Sequence, residues 1–503
     1  MTAKFPSYFA EIRQSKTCWT KGSLPLTDTT QAMRQDGAKS SGRRVLYERL
    51  FEPIDNASIT VFRMCFGAIL FWEVWRYFEK DWIRKFYIIR TFYFKFIGFE
   101  WVHPWPGDFM YVHFAAVGVF ALCVMTGFFY RIASWLLFLG IAFWFLLDQT
   151  RYLNHLYLTV LLAFLMAVIP AHRAKSIDAR RHPNLRSDTV PTWCLWLLRF
   201  QVGLVYFFGG VAKLNTDWLL GEPLRHWLSR NQDFPIVGSW FETESSVWFF
   251  TYGGLLFDLA VVPALLWRKT RVWAFVACLF FHSVNSIFFN IGIFPILMFS
   301  ATLLLLPPNW PRKFFAFFSS KRKETKRLVE MMPAVSKRRQ HLTVVFLAIY
   351  FAIQLCMPLR HFLYAGNVLW TEEGHRFAWR MKLRRKRAIA RFYATDPTTG
   401  KTWQIDDRKY LSYAQRKRVG RWPDMCLQFA HYMADELKKK GYDRIEIRVK
   451  TKASLNYRAY QYLIDPNVDL SKVQRNLRHA NWILPLKNPL PGIGSRMKAP
   501  VHR

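Results

Sequence analysis

The chain of 503 residues combines 52% hydrophobic residues, among them 46 Phe and 22 Trp, with a formal net charge of +37. Apolar surface and charge on that scale must be segregated along the chain, which excludes an ordinary soluble globule with charge spread over its whole surface. The seven cysteines lie far apart with no CxxC and no paired framework, and most fall in apolar runs, where they read as small packed hydrophobes.

Residues 1–57 are polar and basic and lack an apolar run long enough for the core of a signal peptide, so they read as a basic cytosolic tail. A transmembrane helical domain is expected over 58–357. Its apolar runs fall at 58–78, 110–128, 132–148, 155–171, 193–212, 248–267, 272–289, 291–307 and 341–357. Each is near the roughly 20 residues that a bilayer demands, which predicts an all-α polytopic bundle of about nine helices. Pro263 and Pro295 interrupt two of them, a feature membrane helices tolerate when neighbours satisfy the freed backbone. Lys and Arg are in excess in the loops on the side of the N-terminus. With nine spans this makes the protein integral to the membrane and multi-pass, its N-terminus cytosolic and its C-terminal domain periplasmic or lumenal. The clusters Arg173 to Arg186 and Lys321 to Arg327 then need no function beyond contact with anionic lipid.

An ionisable side chain at membrane depth is costly and is a functional candidate by default. Arg63 and Asp258 read as buried interhelical pairing groups, and Asp148 as a helix-end residue that snorkels. His155 follows Asn154 in a polar connector, where an imidazole and an amide could serve chemistry or simply occupy a loop. Lys213 closes a span that carries no other charge after Arg199. It reads either as a snorkelling lysine or as an amine that burial has made available as a general base. His282 and Asn285 lie one turn apart on one helix face, as interhelical hydrogen bonding requires. There is no HxxxH, HExxH or carboxylate cluster at ligand spacing, so no metal site is expected. Arg151, Arg199 and Arg376 could each hold a substrate carboxylate through two parallel hydrogen bonds.

From 358 to 503 the chain turns strongly charged and predicts a small basic α+β domain. Alternation marks strands at 388–393, 444–449 and 457–464. The run Asp396-Pro397-Thr398-Thr399-Gly400 is a turn, and 423–440 fits an amphipathic helix. A basic domain favours an acidic partner or an anionic membrane surface. Nucleic acid is not expected, because no reader motif is present.

The string Tyr206-Phe207-Phe208-Gly209-Gly210-Val211-Ala212-Lys213-Leu214-Asn215-Thr216-Asp217-Trp218 resembles a segment of the vitamin K-dependent γ-glutamyl carboxylases. So do Asp148 to Tyr157, Phe281 to Phe289 with Gly292 and Phe294, and Gln354 to Met381. The late motifs Ile464-Asp465-Pro466 with Val468-Asp469, and Trp482 to Leu486, are similar again. The resemblance spans about Leu50 to Leu486, in order, and is nearest to bacterial-type homologues with a horizontally transferred transmembrane domain. It implies a carboxylase that uses reduced vitamin K, with oxygen and carbon dioxide as cosubstrates, to carboxylate glutamyl side chains of a Glu-rich protein or peptide while the quinol becomes an epoxide. It implies Lys213 as quinol base and His155 as the essential histidine. Asn154, Tyr206, Trp218, Arg199, His282, Asn285, His375, Arg376 and Trp379 would bind quinol or substrate. Gly374-His375-Arg376-Phe377 departs from the mammalian Leu-Tyr-Gly-Tyr-type stretch. Two alternatives therefore stand beside carboxylation: a quinol epoxidase with another or no carboxylation substrate, and a non-catalytic membrane chaperone or assembly factor.

Overall fold

Each apolar run is long enough to close its own backbone hydrogen bonds, and among the described residues all nine are helical. They are α1 (Ala57–Glu79), α2 (Phe109–Thr126), α3 (Tyr130–Leu146), α4 (Asn154–Val168), α5 (Thr192–Lys213), α6 (Glu244–Leu266), α7 (Arg271–Phe288), α8 (Phe294–Thr302) and α9 (Lys337–Leu359). The computed structural model describes residues 47–235, 237–288, 291–318 and 335–491. The expected tail up to residue 46 and the Lys321–Arg327 cluster lie outside them. Six helices, α1, α2, α5, α6, α7 and α9, are long and apolar enough to cross a membrane; α3, α4 and α8 are apolar but shorter.

Local chemistry sets the helix ends. α4 stops because Ile169, which precedes Pro170, takes an extended conformation. α2 ends at Gly127 in the left-handed region, with Phe128 N donating to Cys123 O at 2.9 Å. Two carbonyls of that last turn accept from Arg63, whose Nη1 lies 2.9 Å from Val124 O and 2.8 Å from Met125 O. Arg63 thus crosses between helices to backbone oxygens and not to a carboxylate. Pro263 stands inside α6 near its end, and Pro295 stands in the first turn of α8, where an N–H would have no partner anyway. Asp148 does not snorkel. It is buried, accepts from Thr150 N, and pairs with Arg90 at 2.5 Å.

The helix pairs α1 and α2, α3 and α4, and α5 and α6, each consecutive in the chain, pack on one another. A two-stranded ribbon, β1 (Pro53–Asp55) against β2 (Thr189–Pro191), ties the start of α1 to the start of α5.

The sheet of the C-terminal region has the order β4-β3-β5-β6, all antiparallel: β3 (Lys386–Thr395), β4 (Thr402–Gln404), β5 (Glu446–Leu455) and β6 (Gln461–Tyr462). α10 (Pro423–Lys438) covers one face, where Phe392, Phe429, Ile447, Val449 and Leu455 are buried. Each such side chain contributes about 1.5–3 kcal/mol of burial free energy. The turn at Asp396 to Gly400 closes β3 onto β4 as expected. The strand expected at 457–464 shrinks to Gln461–Tyr462, because Asn456 and Tyr457 take positive φ of 48° and 67° and turn the chain first. This region is fastened to the bundle end by buried polar contacts. Arg458 forks onto Asp217 at 2.6 and 2.7 Å, and Gln428 accepts from Lys95 N at 2.7 Å.

Candidate functional site

α5 ends at Lys213 because Asn215 leaves helical dihedrals and caps the next short helix, accepting from Trp218 N at 3.1 Å. The two glycines just before it let α6 approach closely: a Cβ on Gly210 would stand 2.6 Å from Leu259 Cδ2. That approach brings Lys213 Nζ directly onto Asp258 Oδ2 in a buried ion pair. The ammonium also lies 3.4 Å from Gly209 O and 5.5 Å from the Trp218 ring centre. Lys213, 8% exposed, therefore does not snorkel, and the pairing expected of Asp258 is with this lysine.

Both residues line a cavity of about 920 Å³. Asn154, His155, Tyr206, Trp218, His282, Asn285 and His375 line it too, so residues from α4, α5, α7 and the C-terminal region converge. Phe250, Phe257, Phe281 and Phe288 make much of its wall apolar. Phe249 and Phe280 also line it and are exposed, so the cavity reaches the outer surface of α6 and α7.

Within the cavity the polar groups hold one another. Tyr206 Oη sits 2.7 Å from His282 Nε2 and 2.8 Å from Thr302 Oγ1, joining α5, α7 and α8. Asn154 Oδ1 accepts from Tyr152 Oη at 2.9 Å, while its amide reaches Arg380 O at 3.4 Å. Tyr152 Oη in turn accepts from Phe377 N at 2.6 Å, so the connector before α4 and the stretch after α9 are hydrogen-bonded together. Asn285 Nδ2 returns to Phe281 O at 2.9 Å. The His155 ring packs 5.9 Å from that of Phe294.

His375 is buried among cations, and neither ring nitrogen has a hydrogen-bond partner. Burial, then the charges of Arg384, Arg380, Arg376 and Lys386, push its pKa well below the ordinary histidine value. The surrounding charges disfavour its protonation, and the ring lines the cavity.

Three expected binding residues are not brought to this cavity. Arg199 spends its guanidinium on Leu304 O and Leu306 O, both at 2.8 Å, beside a separate apolar cavity of about 330 Å³. Arg376 lies 4.1 Å over the Trp422 ring and 4.0 Å from Asp424. Trp379 is buried behind the wall, stacked on Tyr157 at 5.0 Å. The smaller cavity does share one wall residue with the larger, Asp258.

Sequence reasoning passes over Glu73 and Arg76, which pair at 2.6 Å in the cavity wall. Opposite charges three residues apart inside the first apolar run are the signal that marks them. Arg380, Lys382 and Trp422 also line the cavity, and no local pattern points to them. Among the described residues no three His, Cys, Asp or Glu side chains gather as a metal site.

A family model for the HTTM domain matches residues 51–310, and one for the vitamin K-dependent gamma-carboxylase, lumenal domain, matches residues 339–489. The chain belongs to the vitamin K-dependent γ-carboxylase family. Within that family frame, the first match contains the Lys213–Asp258 pair, and the second contains His375, Arg380 and Trp422. With six candidate spans it is a membrane protein. No solved structure matches the chain.

Proposed function

We propose that this protein is a vitamin K hydroquinone-dependent carboxylase of glutamyl side chains, coupled to quinol epoxidation, with Lys213 as the base. The observation that carries the proposal is the buried Lys213–Asp258 pair in the wall of a large aromatic cavity that also holds His155.

The cavity fits such a cofactor. Its volume of about 920 Å³ and its phenylalanine wall suit an aromatic headgroup with an apolar tail, and its reach to the outer surface of α6 and α7 suits entry from the lipid. When bound, reduced vitamin K supplies the reducing equivalents and, with oxygen, the strong base that glutamyl deprotonation needs.

The chain's own residues bind, shield and move protons. Lys213 Nζ donates directly to Asp258 Oδ2, so a proton has a path between the two groups. With that proton on Asp258, the amine of Lys213 accepts one from a ligand hydroxyl. His155 donates to or accepts from an oxygen that gains charge as the reaction proceeds. The Tyr206, His282 and Thr302 network, two turns along α5 from Lys213, holds α5, α7 and α8 together, and the aromatic lining excludes water that would quench a carbanion.

In this reading all nine apolar helices lie in the membrane, the N-terminus is cytosolic and the C-terminal domain is periplasmic or lumenal, where a glutamate-rich protein meets it. A second reading, quinol epoxidation with a different carboxyl acceptor, is favoured by one observation: the cavity residues His375, Arg380 and Lys382 fall in and just after the stretch that departs from the mammalian pattern.

The test is purified protein in nanodiscs with reduced vitamin K, oxygen, labelled bicarbonate and a Glu-rich peptide, beside Lys213→Ala, with a mammalian member of the family as control. Epoxide and fixed label, both lost in the variant, support carboxylation with Lys213 as base. Epoxide without label supports the second reading. Neither product, with the control active, overturns both.

A further inference from the structure

The sheet of the C-terminal region has one face under α10 and one open to solvent, and the open face is electrostatically frustrated. In the β3–β5 ladder Arg391 stands directly opposite Lys450, and Arg387 and Lys452 flank this pair on the same face. All four are exposed. Glu446, at the end of the ladder, is taken by Arg448 at 2.6 Å and Lys472 at 3.4 Å. Among the described residues none of these four cations has a carboxylate partner. Two rest on rings instead: Lys450 lies 5.1 Å from the Tyr393 centre and Lys452 5.5 Å from that of Tyr462.

Like charges directly opposite in an antiparallel pair destabilise it, and strand positions favour β-branched and aromatic residues over lysine. A fold therefore gains nothing by placing Arg391 against Lys450, whereas an acidic occupant would neutralise both at once. We propose that this open face is the docking surface for an acidic, extended segment of polypeptide. Alternate residues of an extended chain repeat every ~6.6–6.8 Å, the same interval that separates Arg387, Ile389 and Arg391, or Lys450 and Lys452, along their strands. A segment with a carboxylate at every second residue can thus meet the face in register.

The chemistry of the face favours this occupant over two others. A membrane-binding surface sinks several apolar side chains among lipid headgroups. This ladder exposes one, Ile389, at 58%. Single-stranded nucleic acid is held by bases stacked on aromatic rings, and here lysine ammonium groups already cover the two tyrosines. Identifying the docked segment as part of the substrate rests on the proposed carboxylase reading; the docking itself does not.

The experiment measures binding without turnover, so the two can fail separately. Full-length protein in zwitterionic nanodiscs, with no quinol, is titrated into a fluorescein-labelled peptide of alternating Glu and Thr, and fluorescence anisotropy is followed from low to physiological salt. The comparison is Arg391→Thr with Lys450→Thr, beside a control that neutralises Arg416 and Lys417 on another surface. The expected result is binding that weakens steeply with salt, on the order of tenfold weaker in the double variant and unchanged in the control. The melting temperature of the double variant should be equal or higher, since its substitutions relieve repulsion; a residue pair kept only for structure would lower it. Equal peptide binding by wild type and double variant overturns the proposal. So does loss confined to binding of phosphatidylglycerol vesicles or of single-stranded RNA, which would assign the face to lipid or to nucleic acid. Peptide binding retained with no fixed label in the carboxylation assay leaves the docking face standing and removes the substrate identity.

Discussion

Lys213 and Asp258, 45 positions apart in the chain, form a buried ion pair in the wall of the large cavity, and Asp258 also lines a smaller apolar one. The geometry depends on α5 and α6 packing at Gly209 and Gly210. It places a proton donor and a proton acceptor in contact, within reach of a ligand.

Removing either charge alone should be worse than removing both. Asp258→Ala leaves a buried ammonium without its counter-ion, a loss of about 3–5 kcal/mol. The Lys213→Ala, Asp258→Ala double variant should melt well above the value expected from adding the two single losses. Thermal melting of the four proteins in one detergent measures this; strict additivity would mean that the pair does not interact.

Gly374 is predicted to tolerate no side chain. Its φ is +72°, and a Cβ would lie 2.6 Å from His361 Cα and 2.9 Å from His361 N. The left-handed conformation alone costs a non-glycine residue roughly 1–2 kcal/mol. Gly374→Ala should lower the melting temperature and disturb the turn that presents His375, seen as weaker ligand binding in the cavity.

His375 gives the protein an acid-sensitive component. Its folded pKa is depressed below the ordinary 6.5, so between the two values the unfolded chain binds a proton that the folded chain does not. Stability from this group is therefore complete above about 6.5 and is lost as pH falls below it. His375→Gln should flatten that part of the melting-temperature profile, measured from pH 7.5 down to 5; an unchanged slope would exclude this histidine as its source.

Asp217 is predicted to couple the end of the bundle to the sheet. It accepts the Arg458 fork and the Asn456 amide at 2.7 Å, all buried. Asp217→Asn should cost about 3–5 kcal/mol and raise hydrogen exchange around β5 and β6 before the bundle helices respond.

The membrane segments were legible in the chain itself. Apolar runs of this length have few alternatives to helix, so all nine are helical among the described residues, six of them long and apolar enough to cross a membrane, with ends shifted by a few residues where Pro170 or Gly127 acts. The hairpin turn at Asp396 to Gly400 and the helix from Pro423 were readable for the same reason, since each is decided by neighbouring residues. Lys213 and His282 stand out as ionisable residue types in apolar runs, His155 as an imidazole in a polar connector, and Tyr206 through the family resemblance.

What lay beyond the sequence was every relationship between distant residues. Nothing local distinguishes Arg199, whose donors are consumed by backbone carbonyls, from Arg380, which reaches the cavity. Nothing local pairs Lys213 with Asp258, Asp148 with Arg90, or Arg391 with Lys450. Residue type and period fix whether a segment is helix or strand because those forces act within a few residues. Partnership, burial and the direction of a side chain depend on which elements pack together, and only the tertiary structure decides that.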